Sequence, residues 1–322
     1  MRTEQSGVEQ KTMDRTDVLI FRSLWQGDLP EPFSMNPRRS FREISRKLGV
    51  DELTVRNRIQ KLQHGGFVRG WRVFANPTLS GVSIVQILVG YQLASREKLI
   101  QWSTVSPNVI ALIEHFNGSA WVVCACENSR ARSRLVRTIE GLAGAKSLAV
   151  FDIWFPQCEL KPSSTDIEII SAISRDPRKP YSEVAGELGL SSRTVRRRIS
   201  RLIEGKAVFI VPSLESSALE GALMVDLLVQ YSGTGDQNKA NEEIASRLDS
   251  YLVRTQVGNR AFGFFNLFVT KLSALHEIVG IVTSIRGVKD ARADVVQNSW
   301  EMLDRIHGRA MPSSSSMKAP KP

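Results

Sequence analysis

An α+β chain in which one two-part unit occurs twice is what the sequence predicts, on three observations. Over 322 residues the same motifs return 140 positions on: Leu48-Gly49 as Leu188-Gly189, Thr54-Val55-Arg56 as Thr194-Val195-Arg196, Arg58-Ile59 as Arg198-Ile199. The register persists farther along, where Leu79, Gly81, Val85, Leu88, Val89, Tyr91 and Gly118 recur as Leu219, Gly221, Val225, Leu228, Val229, Tyr231 and Gly258. The first part of each unit has helical apolar spacing, and the second alternates strand-like and helix-like runs.

Asp17 opens an apolar stretch through Trp25. After a Pro-rich insertion, Ser40-Phe41-Arg42-Glu43 has the form of a capping box, and Phe41, Ile44 and Leu48 share a helical face that Gly49 ends. Asp51 is placed to cap a third helix, 51–62, in which Val55, Ile59 and Leu62 point inward. Gly65-Gly66 stops it, and Phe67–Phe74 alternates as a small hairpin before Pro77. The second copy runs Asp166–Ser174, Tyr181–Leu188 and helix 191–202, with Val208–Val211 as its hairpin remnant. Three helices and a hairpin make a winged helix-turn-helix.

After Pro77 the order is βαββαβ: Val82–Tyr91, Glu97–Ser103, Val109–Phe116, Ala120–Glu127, Ser129–Leu142, Ser147–Trp154. The second copy repeats it through Leu223–Tyr231, Asn241–Leu248, Leu252–Gln256, Ala261–Val269, Leu272–Ile285 and Lys289–Val296. Such units are ferredoxin-like. The expected division is a winged helix-turn-helix at 14–76, a ferredoxin-like domain at 77–160, the second pair at 161–213 and 214–300, and a tail at 301–322 with a disordered end.

A third helix presented by a turn fits the major groove of B-DNA, where arginine can donate two hydrogen bonds to guanine. In the second copy Arg193, Arg196, Arg197 and Ser200 follow i, i+3, i+4, i+7 opposite the apolar stripe, flanked by Ser192, Thr194 and Arg201. The first copy offers Arg56, Asn57 and Gln60, and moves its charge to Arg69 and Arg72 of the wing. The two helices are therefore expected to read non-identical half-sites of double-stranded DNA. The plainer reading is a solvated basic face; Arg58 and Arg198 fit either a phosphate contact or a structural ion pair.

The phrases LGVDELTVRNRIQKLQHGGFVRG and LGLSSRTVRRRISRLIEGKAV, each followed by βαββαβ, resemble the Lrp/AsnC family of transcription regulators, over roughly 14–296 and in tandem. The resemblance implies a DNA-binding module joined to an effector-sensing, oligomerising domain. It implies homo-oligomers paired through the sheets, with small molecules, often amino acids, at the interfaces. Where amino-acid binders of that family carry an Asp three residues after the turn glycine, this chain has Trp121 and Ala261, which cannot pair with an ammonium group. Asn117, Ser119, Asn259 and Arg260 are the candidates for an altered effector pocket; their plainer reading is as turn residues.

The same architecture is similar to siroheme decarboxylases, particularly in GNRAFGFFNLF, but the His that accompanies that turn is absent here. His64, His115, His276 and His307 stand at no telling spacing from a nucleophile or metal ligand, and no phosphate-binding loop or nucleophile elbow occurs. An enzyme is not expected; a siroheme decarboxylase-like activity is the alternative. No cofactor or metal is expected. Partner binding by sheets alone is a third reading, against which the arginines at 193, 196 and 197 count.

The 43 Lys and Arg outnumber the 33 Asp and Glu, and the net charge of +10 favours polyanions. Cys124, Cys126 and Cys158 are too few for a disulfide framework. No apolar run approaches the roughly 20 residues that span a bilayer, and 1–13 lacks a secretory core, so a cytoplasmic protein without membrane contact is expected.

Overall fold

The computed structural model describes residues 13–25, 41–174, 176–233, 237–257 and 261–306; Ser40 of the expected capping box lies outside them. The first helix-turn-helix comprises α1 (Arg15–Trp25), α2 (Phe41–Leu48) and α3 (Glu52–His64). Asp51 accepts the Leu53 amide at 2.7 Å at the start of α3, satisfying one of the donors a helix leaves free there. Gly49, at φ 66°, supplies the left-handed step between α2 and α3 that a side chain would resist.

Strand β1 (Val68–Ala75) corrects the expected hairpin. It runs as one strand of eight residues, with no turn, and pairs antiparallel with β6 (Val208–Leu214) of the second copy. The ribbon also exchanges side chains between copies. Ile210 enters the first core with Ile20, Ile44, Val55 and Ile59, while Val73 and Ala75 enter the second with Ile170, Val184, Val195 and Ile199. Each helix-turn-helix is thus completed by the other's strand, a pairing between residues far apart in the chain that local alternation could not reveal.

In the first ferredoxin-like unit, β2 (Ser83–Gly90), α4 (Leu93–Val105), β3 (Val109–His115), β4 (Ser119–Cys126), α5 (Ser129–Ala143) and β5 (Ser147–Ile153) give the order β5-β2-β4-β3. The second helix-turn-helix is α6 (Ser164–Ile173), α7 (Tyr181–Leu188) and α8 (Ser192–Glu204). It precedes β7 (Leu223–Tyr231), α9 (Gln237–Arg247), β8 (Leu252–Val257), β9 (Phe262–Val269), α10 (Ala274–Thr283) and β10 (Val288–Glu301), in the order β10-β7-β9-β8.

Strand alternation sends Val85, Ile87 and Val89 toward the helices and leaves Ile84, Gln86 and Leu88 on the opposite face. On that face Leu88, Trp121 and Phe151 pack against Leu228 and Phe264 of the second sheet, with the Trp121 and Phe264 rings edge to face at 5.6 Å. The two sheets therefore pair within one chain. β10 joins them: it follows β7 up to Val295, bulges near Val296, and then pairs with β3 through Glu301. β10 runs five residues beyond the Val296 at which the last strand was expected to end, and Glu301 with the turn to Ile306 extends order into the stretch expected as tail. There Arg305 donates to the carbonyls of Ser106 at 2.6 Å and Val109 at 2.8 Å.

Candidate nucleic-acid interface

On α3, Val55 and Ile59 are buried and Arg56, Asn57 and Gln60 face solvent. Arg56 is partly engaged, 3.6 Å from Glu52 one turn back and with its guanidinium 5.7 Å above the Phe41 ring. On α8, Val195, Ile199 and Leu202 point inward, Ser192, Arg193, Arg196, Arg197 and Arg201 are exposed, and Thr194 and Ser200 are half-buried. Among the described residues, Arg193, Arg196 and Arg197 have no ion-pair or hydrogen-bond partner. Their charge is unspent.

Arg201 behaves differently. With Arg198 it donates to the fully buried Asp166 of α6, at 2.5 and 2.9 Å. Burial alone would raise the Asp166 carboxyl, but hydrogen bonds from Ser163 and Arg198 and the Arg201 charge outweigh it and hold the group below the ordinary carboxylate range. The first copy repeats the device, with Arg58 2.8 Å from Asp17 and 2.9 Å from Asp14. Arg58 and Arg198 are therefore structural ion pairs that pin each third helix to the start of the first.

Arg69 pairs with Glu215, and Arg72 sits half-buried on the ribbon's sheet-facing side, in a cleft of about 540 Å³ shared with Asn298 and Trp300. The ribbon register sets the geometry of the whole interface. Trp71 pairs with Pro212 and Arg72 with Val211, which are each other's equivalents in the repeat, so an approximate two-fold axis passes through the ribbon and relates α3 to α8.

The expected effector residues divide. Asn259 and Arg260 lie outside the described residues. Asn117, which is exposed, and Ser119, which is buried, belong to a network between the copies: Asn117 Nδ2 donates to Asp294 at 2.5 Å, and Ser119 Oγ lies 2.7 Å from Asn117 Oδ1 and 2.9 Å from His115 Nδ1. His115 Nε2 reaches Asp226 at 3.1 Å, a carboxylate that only accepts, which places a proton on Nε2. Asn266 donates to the other Asp226 oxygen at 2.7 Å. Ser119, His115 and Asp226 have the connectivity of a hydrolytic triad, but each is at most 1% exposed and no substrate could reach them. The sequence signal for this network was Asp226 and Asn266, polar residues at inward positions of otherwise apolar strands.

Nearby, Glu114 binds Arg96 at 2.5 and 2.8 Å, Tyr91 at 2.7 Å and Asn298 of β10 at 2.8 Å. Cys124 and Cys126 are buried free thiols, and burial pushes Cys124 up. Among the described residues, no cluster of metal-binding side chains occurs and no helix is long and apolar enough to cross a membrane.

Two helix-turn-helix units sharing a ribbon, each attached to a ferredoxin-like domain and bearing an exposed basic third helix, define a duplicated helix-turn-helix protein. Residues 13–63 and 163–203 each match the AsnC-type helix-turn-helix domain, so the Lrp/AsnC resemblance stands, with the unit present twice. Among known proteins, the HTH-type transcriptional regulator Ptr1 of Methanocaldococcus jannaschii is 41% identical over 76 residues, 24% of this chain and 45% of that protein. The HTH-type transcriptional regulator LrpA of Pyrococcus horikoshii is 39% identical over 57 residues, 18% of this chain and 40% of its own length. The chain thus spans less than half the length of these relatives.

A solved structure corrects the expectation that the chain is no enzyme. The siroheme decarboxylase NirDL superposes with a TM-score of 0.51, covering 94% of this chain and 100% of that one at 13% identity. The duplicated fold, end to end, is one that an enzyme uses.

Proposed function

We propose that the chain is a DNA-binding transcriptional regulator that reads two non-identical half-sites, one with α3 and one with α8. The observation that carries this reading is the trio Arg193, Arg196 and Arg197, exposed and unpartnered on a helix that Asp166 and the exchanged ribbon hold rigid. An arginine that meets no carboxylate of its own protein is available to phosphate or guanine. The matched AsnC-type domains and the regulators named above support the same conclusion.

The two-fold relation between the third helices supports an inverted arrangement of half-sites, and their different side chains support an imperfect one. α8 would contribute most of the base reading through arginine, and α3 would contribute Arg56, Asn57 and Gln60. Tethering raises the local concentration of the second reader once the first is bound. Self-association of whole chains through the ferredoxin-like domains and a small-molecule effector are part of the same proposal, although the facing sheets already pair within one chain. Selection of bound duplexes from a random pool tests it: enrichment of an imperfect inverted repeat is expected, and enrichment of direct repeats or of no motif would overturn it.

A second reading, siroheme decarboxylation on the same fold, is favoured by the full-length superposition on NirDL. Its test is a shifted haem-type absorbance band and loss of carboxylate groups when siroheme is added to the protein; an unchanged spectrum rejects it.

A further inference from the structure

A cavity of about 160 Å³ lies where the two sheets meet the ribbon. Ile84 and Met224 of its wall are equivalent positions of the repeat, as are Val123 and Asn266, so the chamber lies close to the two-fold axis and occurs once per chain. Its lining is mostly apolar and rich in rings, with Phe74, Phe155, Phe264 and Trp300 contributing.

Gln86, Asn266, Ser299 and Glu301 are the polar residues of that wall, and of these Asn266 is the one with an unpaired buried atom. Its counterpart in the other sheet is Val123, yet the asparagine is only 5% exposed and its Oδ1 has no hydrogen-bond partner. The amide cannot be turned over to cure this, because its Nδ2 donates to a carboxylate oxygen of Asp226 that only accepts. An acceptor left bare in an apolar setting destabilises the fold. A donor-bearing guest would recover that loss.

We propose that this chamber is a binding site for one small aromatic molecule carrying a neutral hydroxyl or amine donor, of the phenol class. Apolar cavities of about 150 Å³ accommodate benzene, which sets the size of the guest. The ring would contact the aromatic and branched wall, and the donor would pair with Asn266 Oδ1. Four ribbon residues, Phe74, Val211, Pro212 and Leu214, close the chamber on one side, so the guest touches the element that joins the two third helices. The site does not depend on the DNA reading.

The test is titration of the full chain with phenol and, separately, with toluene, which has the same heavy-atom count and no donor. It is followed by Trp300 fluorescence and by methyl shifts of Ile84 and Met224. Saturation at one guest per chain is expected, with phenol held at least tenfold more tightly than toluene. Asn266→Leu should erase that preference, and Val123→Phe, which fills the chamber while leaving Asp226 and Asn266 in place, should abolish binding of both. Equal affinities for the two probes, no saturation up to their solubility, or unchanged binding by Val123→Phe would overturn the proposal.

Discussion

Arg198 of α8 reaches across to Asp166 of α6 at 2.9 Å, and that contact fixes the angle at which the third helix leaves the second helix-turn-helix. Asp166 is fully buried and also closes the capping box of α6 with Ser163, so one carboxylate ties a helix start to a neighbouring helix. Asp166→Ala is expected to cost about 1–3 kcal/mol, since it removes charged hydrogen bonds while leaving arginines that can turn to solvent. Urea denaturation measures it. Arg198→Met should cost at least as much, because the buried acid then keeps fewer donors.

Acid should loosen the molecule. Asp166, Asp14 and Glu114 are each pushed upward by burial, yet each is held below its ordinary range by hydrogen bonds and neighbouring arginines. Glu140, held mainly by the Ser147 amide and by Lys146, is lowered to about 2. A depressed folded-state pKa stabilises above the unfolded value and loses that contribution as pH falls through the folded one. Stability should therefore be flat near neutrality and fall below about pH 4. Asp166→Asn should reduce the steepness of that fall in acid-titrated unfolding curves.

The exchanged ribbon makes a prediction that crosses the repeat. Ile210 belongs to the second copy in sequence but is 0% exposed in the core of the first. Ile210→Ala should cost about 2–5 kcal/mol. In hydrogen exchange, protection should drop at Val55 and Ile59 of α3 as well as along β6. Loss confined to residues after 160 would mean that the first helix-turn-helix closes its own core.

Between the sheets, His115 and Asp226 link copies at 3.1 Å with neither exposed beyond 1%. His115→Ala leaves the buried Asp226 with its Asn266 hydrogen bond but without its partner on Oδ2, and should destabilise by about 1–3 kcal/mol. Pairing it with Asp226→Leu should return much of the loss, which a double-mutant cycle by thermal unfolding would show. Simple additivity would indicate that the two side chains do not interact.

Much of this architecture was legible in the sequence because the repeat doubled every weak signal. Val55-Ile59-Leu62 and Val195-Ile199-Leu202 each indicate a helix, and together they fix a frame. What was not legible is where the copies touch. Trp71 facing Pro212, Ile210 inside the first core and β10 running on to pair with β3 are contacts between distant segments, and neither periodicity nor capping residues encode them. The site divides the same way. The outward position of Arg196 follows from its spacing against Val195 and Ile199, whereas the diversion of Arg201 to Asp166 depends on a helix packed from 35 residues upstream.

On the proposed reading, α8 carries the unpaired charge of Arg193, Arg196 and Arg197 into a DNA groove. The most direct measurement is the affinity of the full chain for a selected duplex, by fluorescence anisotropy across 50–200 mM salt, with and without Arg196→Ala and Arg197→Ala together. The account predicts steep salt dependence in the native chain, and for the double variant a loss of at least tenfold, a shallower slope and relaxed preference at one half-site only. Unchanged affinity and slope in the folded double variant would contradict it.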